Sequence, residues 1–202
     1  MLPGVERSVY NVRMNPDKQS FAALPPRERI LVAAHDLFYS EGIRATGVDR
    51  IIDRSSVSKV TFYRQYASKD QLIRAYLDYR HQGWMSWFKS SLLQESRDGA
   101  SATEALLRTL RGWFSQPHFR GCAFLNAAAE LGSTDPGILE VVRQHKEEMA
   151  CVLDELFGRH AVSAGQSLSL AVDGTIVHVQ MGQPVEEVLG SLKVIVESIV
   201  GR

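Results

Sequence analysis

The sequence predicts an all-α chain. Apolar residues recur at the three- and four-residue spacing of a helix face along most of its 202 residues. Period-two alternation is confined to short ambiguous runs such as "TIVHVQM". Serine, threonine, glycine and proline fall at the points where one helical pattern stops and the next begins. At 45% hydrophobic residues the chain can bury a substantial core.

Residues 1–25 show no sustained period, end in "ALPP" and read as a flexible N-terminal arm. Ile30, Ala33, Ala34, Leu37 and Phe38 then mark one face of a helix that Gly42 should close. Thr46 reads as the N-cap of a second, short helix, with Asp49 three residues on as its capping-box partner. Val48, Ile51 and Ile52 form its buried side. After a turn at "RSSV", Ser58 should cap a third helix by accepting from the Thr61 N–H. Val57, Phe62 and Tyr66 can face inward there, which leaves Lys59, Thr61, Tyr63 and Arg64 outside. Ser68 starts a fourth helix that carries apolar residues as far as Phe88 and can run to about Ser96. Further helices are expected over 101–115, 122–131, 136–158, 164–181 and 184–200.

Composition excludes several classes. No apolar run reaches the roughly 18–20 residues of a membrane span. The N-terminus lacks the continuous apolar stretch of a secretion signal. Two cysteines, Cys122 and Cys151, fit a reduced cytoplasm better than a disulfide scaffold. No CxxC or HxxxH spacing suggests a metal, and no Gly-rich phosphate loop suggests a nucleotide or other cofactor. Cys122 with His145 or His178 is the one arrangement that could support nucleophilic catalysis, and packing explains those residues without it. The net charge of zero conceals an excess of four positive charges in residues 1–80 and of four negative charges in 81–202. The basic end is therefore the one suited to an anionic partner.

Two short helices joined by a turn of three to four residues, the second polar outside, form a helix-turn-helix. In that geometry the second helix enters the DNA major groove. Lys59 and Lys69 suit phosphate as point charges, and the hydroxyls of Ser58, Thr61 and Tyr63 can donate to phosphate oxygens. Arg64 can make a bidentate contact to guanine. The spacing alone would also fit an ordinary solvated helix.

"RILVAAHDLFYSEG", "ATGVDRI" and above all "VSKVTFYRQYASKDQLI" resemble the N-terminal domain of the tetracycline-repressor (TetR) family of bacterial transcription regulators. "RGCAFLNAAAEL" and "AVDGTIVHVQMG" resemble a subgroup of the same family more loosely. The resemblance implies a helix-turn-helix domain over 26–70 and a helical ligand-binding and dimerisation domain over 71–202. It implies a homodimer on a palindromic operator, released when a small-molecule inducer binds, and no enzyme. Thr46, Ser58, Lys59, Thr61, Tyr63, Arg64 and Lys69 become the expected DNA-contacting or capping positions. Ser56 and Val60 stand where the family commonly has glycine. The family's dimer is a four-helix bundle, which assigns Val172, Ile176, Val188, Leu192, Ile195 and Ile199 to the interface. Trp84, Trp87, Trp113 and Phe124, with Asn126 to orient a ligand, suggest an apolar or aromatic inducer, although the rings alone fit a core equally well. The rival of another class is an architectural or cell-division DNA-binding protein of the same fold without an inducer.

Overall fold

The computed structural model describes residues 18–158 and 164–201. Among them are ten helices and no strand: α1 (Lys18–Ala23), α2 (Pro26–Glu41), α3 (Val48–Ser55), α4 (Lys59–Gln65), α5 (Lys69–Arg97), α6 (Ala102–Phe114), α7 (Ala123–Leu131), α8 (Pro136–Phe157), α9 (Ala164–Gln180) and α10 (Val185–Val200). The expected arm lies outside the described residues up to position 17, and 18–23 are helical. The expected C-terminal helices are each present to within about two residues, and "TIVHVQM" is helical within and just past α9. The chain forms two compact units, the first ending at Trp87 and the second beginning at Phe88. The division therefore falls inside α5, not at residue 70.

In the first unit α2 packs on α3 and α4. Pro26 occupies the first turn of α2, where its missing N–H removes no helical bond. Gly42 ends the helix at φ 95°, donating its N–H to the Phe38 carbonyl. Ile30, Ala34, Ile51, Phe62, Leu72 and Leu77 are almost fully buried and form the core. Ser68 accepts from the Gln71 N–H at 3.1 Å while the Gln71 side chain accepts from the Ala67 N–H at 2.7 Å, so α5 starts on a reciprocal cap. The cap expected at Thr46 is corrected: Gly47 is the N-cap of α3. The Thr46 side chain is buried and donates to the Gly42 carbonyl at 2.8 Å, closing the α2 end of the loop instead.

A polar cluster is buried between α2 and α5. The ring of His35 lies 5.8 Å from those of Tyr76 and Tyr79, its Nε2 faces the Arg80 guanidinium at 3.1 Å, and its Nδ1 faces the Asp36 carboxylate at 3.2 Å. Arg80 itself lies 3.8 Å over the Tyr39 ring. Burial holds the His35 pKa below its usual 6.5, and Arg80 works in the same direction against the opposing pull of Asp36. The unfolded chain therefore binds a proton that the folded one resists. Stability from this residue is present above pH 6.5 and is lost as pH falls from there toward the lower folded value. Thermal melts between pH 7.5 and 5.5 should show a larger drop in midpoint for the wild type than for His35→Gln, which cannot titrate. Equal drops would remove His35 from the account.

In the second unit α6 packs on α10, α7 on α8, α8 on α9 and α9 on α10. Leu106, Leu110, Phe124, Met149, Leu153, Leu168 and Val172 are at its centre. One ion pair is largely enclosed there. Lys146 of α8 donates to the Asp173 carboxylate of α9 at 2.5 Å and to the Cys122 sulfur, at the start of α7, at 3.5 Å. Burial opposes the Lys146 charge, but the sulfur and the carboxylate outweigh it and hold the ammonium protonated.

The dimer assignment needs correction at four of its six positions. Val172, Ile176, Val188 and Leu192 are buried within the protomer's own second unit. The same 3.6-residue period that marks a helix face cannot tell a face turned to a neighbouring helix from one turned to another subunit. Ile195 is exposed and Ile199 half-buried. The apolar residues that α9 and α10 leave outside are Leu170, Val177, Met181, Val194 and Ile195.

Candidate nucleic-acid interface

The turn between α3 and α4 is built from Ser56, Val57 and Ser58. Ser56 sits in the left-handed region at φ 51°, ψ 46°, the one non-glycine among the described residues with positive φ. An L-residue there costs about 1 kcal/mol that glycine would not. The Ser56 N–H donates to Asp53 and the Val57 N–H to Ile52, which terminates α3. Ser58 then starts α4 as expected, its hydroxyl oxygen accepting from the Thr61 N–H at 3.1 Å. The two hydroxyls of Ser58 and Thr61 are also 2.9 Å apart. Phe62 anchors the helix in the core with no exposed surface.

Two arginines of α2 brace this motif from behind. Arg27 donates to the Gln65 carbonyl at the end of α4 at 2.7 Å and lies 4.4 Å over the Tyr66 ring. Arg29 donates to the Ser56 carbonyl in the turn at 3.3 Å. Sequence reading missed both. The available signal was "PPRERI": cations in the first turn of a helix oppose its dipole, so they need another role.

The outward face of α4 carries Lys59, Val60, Tyr63 and Arg64. The Lys59 side chain is 65% exposed and forms a 3.2 Å ion pair with Asp49 of α3, itself 82% exposed. Tyr63 is exposed, with its ring edge-on to Phe62 at 5.3 Å. Arg64 is exposed and has no hydrogen-bond or ion-pair partner among the described residues. Ser58, Lys59, Tyr63 and Arg64 are therefore brought onto one accessible element, with Thr61 half-buried beside them. Two expected positions are placed differently. Thr46 has no exposed surface to offer DNA. The Lys69 ammonium donates to the Ile43 carbonyl at 2.6 Å and lies 5.9 Å from the Phe38 ring, so it ties α5 to the loop after α2.

The residues singled out for a ligand fall in both units. Trp84 is buried and Trp87 half-buried in the first, their rings 6.2 Å apart. In the second, Trp113 rests against Phe114 and Phe119, and Phe124 stacks on His145 at 3.6 Å. The Asn126 side chain is engaged at both ends: it donates to the Arg120 carbonyl at 3.0 Å and accepts from Gln180 at 3.2 Å. Among the described residues no group of acidic, cysteine or histidine side chains is placed to hold a metal. No described helix is long and apolar enough to cross a membrane.

Comparison with known proteins bears on this geometry. Residues 30–76, which contain the turn and α4, match the sequence profile of bacterial regulatory proteins of the tetR family. The chain is 31% identical to a TetR-family transcriptional regulator from Streptomyces coelicolor, whose crystal structure it matches with a TM-score of 0.72 over 87% of this chain and 94% of that one. It is 26% identical over 156 residues, 75% of its length and 71% of the relative's, to an uncharacterized HTH-type transcriptional regulator of Lactococcus lactis. A third, CifR, is 19% identical and shares the fold at a TM-score of 0.70, over 87% of this chain and 97% of that one. It was crystallised with a 26-base-pair operator duplex.

Proposed function

The chain belongs to the TetR family of bacterial transcriptional regulators, and from that premise we propose that it is a homodimeric repressor that reads a palindromic operator through α4 and releases it on binding a small apolar or aromatic ligand. The observation that carries the DNA-reading part is the face of α4. Lys59, Tyr63 and Arg64 stand exposed on a helix capped at its start by Ser58 and braced at its end by Arg27. Lys59 is the phosphate contact and Arg64 the guanine contact; the Lys69 ammonium, already engaged at Ile43, serves the scaffold first.

Dimerisation uses the face that the protomer leaves bare. Leu170, Gly174, Val177 and Met181 follow one another along α9 at helical spacing, and Gly190, Val194 and Ile195 do so on α10. Space beside Gly174 and Gly190 is open in the protomer, which suits close approach by a partner helix. Ligand response is the family's usual coupling: the ligand lowers DNA affinity by binding better to the form that does not fit the operator. The aromatic residues Trp84, Trp87, Trp113 and Phe124 support an apolar ligand. The hydrogen bonds already made by Asn126 make it a weaker choice for orienting one. Catalysis through Cys122 is disfavoured, since the neighbour of its sulfur is an ammonium held protonated, which cannot serve as a base.

Titrations across salt test the DNA reading. Lys59→Ala should weaken binding to every duplex and reduce the salt slope by about one counterion. Arg64→Ala should instead cost about 1–3 kcal/mol at one base position and relax preference there. An unchanged slope for the first, or a uniform loss for the second, would exchange or remove these roles.

A further inference from the structure

Val60 is 77% exposed, more than any other large hydrophobic residue that the structure leaves outside. Nothing in the protomer explains it. An isolated valine at an exposed helix position adds no packing, and its branched side chain is a poorer helix former than alanine. Its setting is specific. It occupies the second position of α4, directly after Lys59 and one turn before Arg64, on the same side as Arg64. Residues near the N-terminus of a recognition helix are the ones that meet base edges. Lys59 and Arg64 flank an apolar surface with cations, so the face as a whole is complementary to a polyanion that also carries an apolar feature.

In the major groove that feature is the C5-methyl group of thymine; the other groups that bases present there are hydrogen-bond donors and acceptors. A valine side chain offers neither donor nor acceptor, and its single preferred rotamer in a helix holds both methyls in a fixed place. We infer that Val60 is a specificity-determining residue that reads a thymine methyl group in each operator half-site. This rests on the DNA-reading function proposed above. Side chains one turn apart on a helix are about 5–6 Å apart at Cβ, and stacked base pairs about 3.4 Å, so the thymine should lie within about two base-pair steps of the guanine read by Arg64.

The test isolates the methyl group. Duplexes bound by the intact protein are first selected from a random library. Each thymine of the selected site is then replaced in turn by deoxyuridine, which pairs identically but lacks the methyl. Wild type should bind roughly fourfold more weakly when one such position per half-site is changed, the worth of one apolar carbon taken out of water. Val60→Ala, which leaves an exposed site and so should not disturb folding, should bind the parent duplex about as weakly as wild type binds the uracil form, and should lose all sensitivity at that position. 5-Methylcytosine placed opposite guanine there should regain part of the wild-type affinity. If wild type has no methyl-sensitive position, or if Val60→Ala keeps the sensitivity, the inference is wrong while DNA binding stands. If no duplex is selected, DNA reading itself fails and this inference falls with it.

Discussion

Val194→Glu is expected to leave each protomer folded and to abolish operator binding. Val194 is 64% exposed, so a carboxylate there disturbs nothing within the protomer. In the proposed dimer it would be enclosed against a partner's apolar face, where an unpaired charge is strongly disfavoured. Sedimentation or light scattering should report a monomer with unchanged helical content. Operator affinity should fall by about 100-fold or more, because two half-sites then bind separately instead of as one linked event. Leu170→Glu, at 69% exposure on α9, should do the same. Leu192→Glu is not an equivalent probe: Leu192 is only 1% exposed in the protomer, and a charge there attacks the fold directly. A Val194→Glu protein that remains dimeric would move the interface to another surface.

The second large effect concerns the enclosed ion pair. Lys146→Met should lower stability by roughly 2–4 kcal/mol, because the Asp173 carboxylate is left without its cation in a mostly dry setting. For a chain of this size that corresponds to about 5–12 °C in thermal midpoint. The double variant Lys146→Met with Asp173→Leu should recover much of the loss, since two packed apolar groups replace two charges that must otherwise be desolvated. A single variant that melts with the wild type would mean that solvent already screens the pair. DNA binding at low temperature should be retained in both variants.

Much of this architecture could be read from the residues. The helix-turn-helix was legible because its signals are local: Ser58 accepts from a donor three residues away, and Gly42 and Ser68 mark boundaries through their own backbone and side-chain chemistry. The errors share one cause, which is that a side chain's partner can be distant in sequence. Thr46 looked like a cap for the helix after it, but its hydroxyl turns back to α2. Lys69 looked free for phosphate, but its ammonium reaches Ile43, 26 residues earlier. On α10 the stripe of Val188 and Leu192 signals burial without saying against what. The answer, that Val194 on another side of the helix is the exposed one, depends on how α6 and α9 pack. The bracing by Arg27 and Arg29 was invisible for the same reason.

That bracing has an entropic consequence. A recognition element that is loose in solution must be ordered as it meets DNA, and the lost freedom of its backbone, about 1–2 kcal/mol per residue, subtracts from affinity. Here α4 is held at its end through Gln65 and the turn before it through Ser56, both by guanidinium groups on a single neighbouring helix. The reading face therefore arrives already shaped. Association then resembles the docking of a rigid surface more than coupled folding and binding, with a modest heat-capacity change and an encounter rate governed by charge steering.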